Sequence, residues 1–191
     1  MQLRLAAIFV AVASLAGCVT PPAGPVRSLD PDSGVSLTVV DEPLIFARER
    51  RDIAANARDY VTVAAAEFNE AGRRRLVLVT HQWSTIDARA ADATPVTHSE
   101  LLIIADGRDL RFVPLPEHMT ADFRGNPALA PPEDAHVVTT IYGIDGSTLG
   151  YIGTSRILTA AYPDSFALPF ALWRDGRPAI ARFLEGLGIE K

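Results

Sequence analysis

The chain has 191 residues, 48% of them hydrophobic and 21% charged, with 13 glycines, 14 prolines and one cysteine, a composition that excludes disorder and low complexity. A chain of this length buries roughly 70% of the surface it exposes when unfolded, enough for one core without metal or disulfide, and a lone cysteine could not form an internal disulfide. The formal net charge is −5 and the only lysine is Lys191, so a nucleic-acid footprint would have to be assembled from scattered arginines and is not expected.

The N-terminus reads as a processing segment. Arg4 precedes an apolar run from Leu5 to Leu15 that, at about 11 residues, falls well short of the ~20 needed to cross a bilayer and has the pattern of a signal peptide. A buried helix with an incidental cysteine would leave the positive start, the short apolar run and the small residues unconnected. Leu15-Ala16-Gly17-Cys18 resembles the lipobox of bacterial lipoproteins. That resemblance implies cleavage before Cys18, a thioether-linked diacylglycerol on its thiol and a further acyl chain on the new amino terminus. Several chains at ~0.8 kcal/mol per buried methylene make a stable anchor. Val19 rather than an acidic residue follows Cys18, which in that family implies export to the outer membrane. The expected location is the periplasmic side of that membrane, anchored in its inner leaflet. Removal of residues 1–17 takes away Arg4 and no acid, leaving a charge of about −6, so attachment to an anionic surface would rest on the lipid rather than on basic contacts.

Three parts are expected: a signal peptide at 1–17, the lipidated cysteine and a Pro-rich tether at 18–34, and a single β-rich domain at 35–191. Val19 to Pro31 holds Pro21, Pro22, Gly24, Pro25 and Pro31 and reads as extended spacer. Beyond it come short, β-branched apolar runs bounded by turn residues. Val35–Val40 is a first strand. Tyr60–Asn69 and Arg75–Ser84 are joined by Glu70-Ala71-Gly72-Arg73, a connection of hairpin length, and Arg73, Arg74 and Arg75 mark a solvated strand entry. Leu101–Ala105 and Leu110–Leu115 flank Asp106-Gly107, and Val137–Tyr142 and Leu149–Leu158 flank Asp145-Gly146. Asp-Gly supplies the positive φ angles of a type I′ turn, so two hairpins are expected. Ser165–Trp173 alternates Phe166, Leu168, Phe170 and Leu172, with Pro169 pushing it toward a sheet edge. Pro178 then opens a short amphipathic helix carrying Ile180, Phe183, Leu184 and Leu187, which Gly188 ends. Ala47–Arg58 stays open between one helical turn and a ragged edge strand. The expected fold is mainly β, an antiparallel sandwich-like domain with one short C-terminal helix. Two long loops, 86–98 and 116–135, are the places to look for function.

The motifs that carry chemistry are sparse. His81, His98, His118 and His136 match no compact metal spacing, so no metal or other cofactor is expected. His81 shares a strand face with Val77, Val79 and Trp83 and reads as a half-buried, hydrogen-bonded imidazole. Asp30-Pro-Asp32-Ser-Gly34 has its glycine one place early for a calcium loop and reads as a turn. Gly146-Ser147-Thr148-Leu149-Gly150 puts its serine in the wrong register for a nucleophile elbow, inside an expected hairpin. Glu67 with Asn69, or Asp122 with Glu133, are carboxylate-bearing pairs of a kind any acidic chain offers. Tyr60, Trp83, Phe112, Tyr142, Tyr151 and Phe166 read as core aromatics. Trp173 beside Arg174 reads either as an exposed stacked pair or as cover for a sheet end.

Ile45-Phe46-Ala47-Arg48-Glu49, Ala57-Arg58-Asp59-Tyr60, Glu67-Phe68-Asn69 and Trp83-Ser84-Thr85 together resemble a group of small, largely uncharacterised proteobacterial lipoproteins. The resemblance covers about the middle third of the chain and implies an envelope lipoprotein without implying an activity. The function expected is a non-catalytic binding or accessory lipoprotein that meets the membrane through the lipid on Cys18 and contacts another envelope component, with an envelope protein as its partner. Two other readings stand beside it: a metal-dependent or carboxylate-based hydrolase using His98, Glu100 and His118, and a small-molecule carrier with an apolar pocket.

Overall fold

The long hairpin at the centre of the chain organises everything else. A computed structural model describes residues 24–29, 34–85, 100–116, 129, 137–163 and 168–189. Within them lie ten strands in one antiparallel sheet: β1 (Val26–Leu29), β2 (Ser36–Val39), β3 (Leu44–Glu49), β4 (Arg58–Glu70), β5 (Arg73–Ser84), β6 (Leu101–Ala105), β7 (Arg108–Phe112), β8 (Val138–Gly143), β9 (Leu158–Ala161) and β10 (Phe170–Arg174). Two helices complete the fold, α1 (Gly146–Thr154) and α2 (Arg177–Gly186).

β4 and β5 pair from Asp59↔Ser84 to Glu70↔Arg73. Their two-residue turn works because Ala71 and Gly72 both take positive φ, 50° and 85°, and Asn69 Oδ1 accepts the Gly72 N–H at 2.9 Å. The other edge of β4 is shared: β2 pairs its residues 66–69 and β3 its residues 58–63, with Val40 N–H donating to Ala65 O across the jog between them. From β3 the sheet continues through β10, β9, β6 and β7. From β5 it continues to β8. The two ends then meet, since Pro114 bridges Tyr142 and Leu115 N–H donates to Ile141 O at 2.7 Å. The sheet thus returns on itself around one core of Phe46, Leu44, Leu78, Leu101, Ile103, Tyr142 and Phe170. This is the mainly antiparallel β domain with a short C-terminal helix that the sequence pattern indicates, built from a single sheet.

Several elements depart from the sequence reading. Asp106-Gly107 makes the expected hairpin turn, with φ of 47° and 82°, but Asp145-Gly146 starts α1 instead of a second hairpin. Asp145 stays extended and its carboxylate accepts the Thr148 N–H at 2.8 Å, so its capping chemistry prevails over the turn it could make. Leu149 and Ile152 face the core one turn apart, and the following strand begins only at Leu158. Val26–Leu29, within the stretch read as spacer, pairs with β2. The stretch left open at Ala47–Arg58 begins in β3, an interior strand between β4 and β10. β10 is not an edge either, because Pro169 sits just before its first paired residue and needs no ladder hydrogen bond.

The helices pack on each other through a stripe of small residues. A Cβ on Gly153 would lie 3.0 Å from Ile180 of α2 and one on Gly146 2.8 Å from Ile189 just past it, while at Gly150 it would make an ordinary 3.7 Å contact with Leu184, so the close approach of α1 depends on the first two glycines. α2 ends with Gly188 at φ 68° and Ile189 N–H donating back to Leu184 O, the expected glycine stop. Among the described residues no helix is long and apolar enough to cross a membrane.

Candidate binding groove

Alternation along β3 and β4 determines what the outer surface of the sheet presents. Leu44, Phe46 and Arg48 face one side with Val63, Val61 and Asp59 across from them, while Ala47, Glu49 and Tyr60 face the other. Register then lines up Trp83, Tyr60, Ala47 and Ala171 as one row across β5, β4, β3 and β10. The two alanines at one end of that row leave a trough. Trp173 walls it on one side and meets Tyr60 edge-on at 6.4 Å, and Tyr60 in turn stacks on Trp83 with centroids 4.2 Å apart. The groove has a volume of about 660 Å³, and Ala47, Glu49, Arg51, Arg58, Ala171 and Trp173 are among its lining residues. Trp173 is 59% exposed, and Leu168 at the rim is 77% exposed.

Arginines hold this architecture in place. Arg48 bridges Asp59 at 2.6 Å, donates to Leu168 O at 3.1 Å and lies over the Phe170 ring at 4.4 Å. Arg50 also reaches Asp59, at 3.3 Å. Asp59 itself is only 6% exposed, so its charge depends on these partners. On the outer face Glu49 is approached by Arg51 at 2.6 Å and Arg58 at 3.8 Å, and the Arg58 guanidinium lies 4.7 Å above the Trp173 ring, an attractive placement for a cation on an indole. The hydrogen bond and charge of Arg51, helped by Arg58, hold the Glu49 carboxyl below its ordinary range. Arg50 does the same for Asp52, whose hydrogen bond in turn raises the Arg50 guanidinium. Glu49, Asp52 and Arg50 are therefore ionised at neutral pH.

The residues singled out from sequence fall in different places. Cys18, His98, His118, His136, Asp122 and Glu133 lie outside the described residues. Glu100 is engaged by Arg111 at 3.2 Å. Glu67 and Asn69 share a face of β4, and Glu67, buried, is bonded by Arg74, which also donates to Leu187 O at 3.0 Å. This pair belongs to a smaller polar cleft of about 330 Å³ beside the C-terminal end of α2. Ser147 is the second residue of α1 rather than part of a hairpin, and its hydroxyl donates to Asp145 at 2.5 Å. With the Thr148 N–H and hydroxyl this brings the Asp145 carboxyl down to about 2. His81 is buried with Nδ1 3.0 Å from Thr139 Oγ1, as its strand face indicates. Burial pushes its pKa down, opposed in part by the Leu129 backbone, so it is neutral at pH 7. Among the described residues no three His, Cys, Asp or Glu side chains form a metal-sized group.

The sequence reading missed the groove itself. Tyr60 and Trp83, read as core, are half-buried and stack on each other beside it, and Trp173 stacks with Arg58 rather than Arg174, which pairs with Glu42 at 3.7 Å. The signal was available only as the pair of alanines at 47 and 171, which becomes a trough once register is known. Compared with protein-family models, curated proteins and solved structures, the chain finds no match.

Proposed function

We propose that this chain is a lipid-anchored periplasmic lipoprotein that serves as a non-catalytic binding protein, and that the groove beside Trp173 is where another envelope component docks. The observation that carries the reading is the exposed Trp173, held over an alanine floor by Arg58. A large ring kept in water and fixed in orientation is costly unless something covers it, and Trp, Tyr and Arg are the side chains that dominate protein–protein binding energy. The anchor supports the same reading from the sequence side: a tethered domain keeps its groove at high local concentration near the membrane.

The test is photo-crosslinking in cells. A photoreactive amino acid replaces Ala171 in the full chain, with Cys18 intact or changed to Ala. The expected result is one defined adduct that fades when Cys18→Ala removes the anchor and when Trp173→Ala removes the wall. Absence of any adduct, or an adduct indifferent to both changes, overturns the reading.

A further inference from the structure

The ion pairs around the groove leave cationic capacity over. Arg48, Arg50, Arg51 and Arg58 gather there against Glu49, Asp52 and Asp59, and two of the three carboxylates are each approached by two arginines. A guanidinium presents five N–H donors in a planar fork, so arginines sharing a carboxylate retain donors of their own. Arg51 is the most solvent-facing of the four, with a side chain 82% exposed. This local excess stands out in a chain whose net charge is −5. Directly beside it lies exposed apolar surface, Trp173 with Leu168 at the rim.

We propose that the groove takes an acidic peptide segment, one in which a carboxylate sits next to an aromatic or large apolar side chain. The apolar side chain lies on the alanine floor against Trp173, and the carboxylate meets Arg58 and Arg51, displacing part of their hold on Glu49. The inference rests on the reading of the groove as a partner-binding surface and narrows what the partner presents. Charge complementarity favours a peptide carboxylate over a neutral sugar, which would use the ring but not the surplus donors. It also disfavours a second copy of this chain, whose matching groove would bring arginines to arginines.

Both tryptophans of the chain, Trp83 and Trp173, belong to this cluster, so intrinsic fluorescence reports occupancy without a label. The probes are acetylated, amidated hexapeptides containing Glu-Phe, their Gln-Phe counterparts, and a neutral N-acetylated amino-sugar oligomer, each titrated into the full chain. The expected result is a shift in tryptophan emission by the Glu-Phe peptide, with affinity about ten-fold above the Gln-Phe form. That preference should fall when salt rises from about 0.05 to 0.5 M and vanish in Arg58→Gln, with Arg51→Gln lowering it less. Equal affinity for the two peptides, binding of the sugar alone, or self-association that occludes the groove overturns the inference. If the peptides fail while the Ala171 crosslink still forms in cells, the chemistry assigned to the partner is wrong and the binding role stands. If both fail, the binding role falls with it.

Discussion

The two ends of β4 solve the same problem differently. Each carries a carboxylate on the same face of the strand, Asp59 at one end and Glu67 at the other, both only 6% exposed, and eight residues apart, or roughly 26 Å along a strand. At the Glu67 end the answering Arg74 comes from the paired strand and ties onward to the C-terminal end of α2. At the Asp59 end the answering arginines come from β3 and the turn after it, no helix packs there among the described residues, and Trp173 and Leu168 are exposed. One end is finished by the chain's own packing. The other uses the same chemistry beside a surface left open, the one proposed above as the docking groove.

That contrast can be broken by substitution. Arg48→Ala strips Asp59 of its closest partner and uncovers Phe170, so a loss of about 3–5 kcal/mol is expected in urea denaturation; a loss under ~1 kcal/mol would mean that Arg50 alone suffices. Gly176→Ala tests how tightly the helical end is closed, because its Cβ would lie 2.6 Å from the Glu42 and Pro43 backbone. A cost of about 1–3 kcal/mol is expected from overpacking, read as a lowered urea midpoint. Glu67→Gln should cost less, about 1 kcal/mol, since Arg74 is nearly half exposed and water screens the pair. An effect equal to that of Arg48→Ala would erase the distinction between the two ends.

Between them, His81 supplies a smaller, pH-dependent effect. Its folded pKa lies below the ordinary value of 6.5, so the unfolded chain binds the proton first and stability falls as pH drops below about 6.5. Replacing His81 by Gln should flatten the stability profile between about pH 7 and 5; an unchanged slope assigns the acid sensitivity elsewhere. The smallest change in stability is expected for Trp173→Ala, within about 0.5 kcal/mol as for other exposed positions, while the Ala171 crosslink is lost. A large destabilisation would make Trp173 a structural residue and not a docking wall.

How much of this was legible in the sequence depended on whether local chemistry decides the outcome. The β4–β5 and β6–β7 hairpins were readable because positive-φ turn residues sit between apolar runs, and α2 because its apolar spacing and flanking Pro178 and Gly188 agree. Asp145-Gly146 misled because the same aspartate can open a turn or cap a helix, and only the packing of Leu149, Ile152 and the glycine stripe against α2 selects the second. β3 was obscured by its charged end: Arg48 looks like a surface residue until Asp59 is placed across from it. The groove could not be read at all, since Ala47 and Ala171 are 124 positions apart in the chain and only register makes them neighbours.

The single bridge that joins Pro114 to Tyr142 has a consequence for how the ring assembles. Strands β3, β4 and β5 are neighbours in both sequence and space, whereas the contact between the segment after β7 and β8 fastens the circle at one point. The molecule therefore resembles a belt with a local buckle, Leu115 to Ile141, only 26 positions apart, while the strap itself is joined across 124 positions where Ala47 of β3 meets Ala171 of β10; that distant seam is the one that waits longest for loop closure.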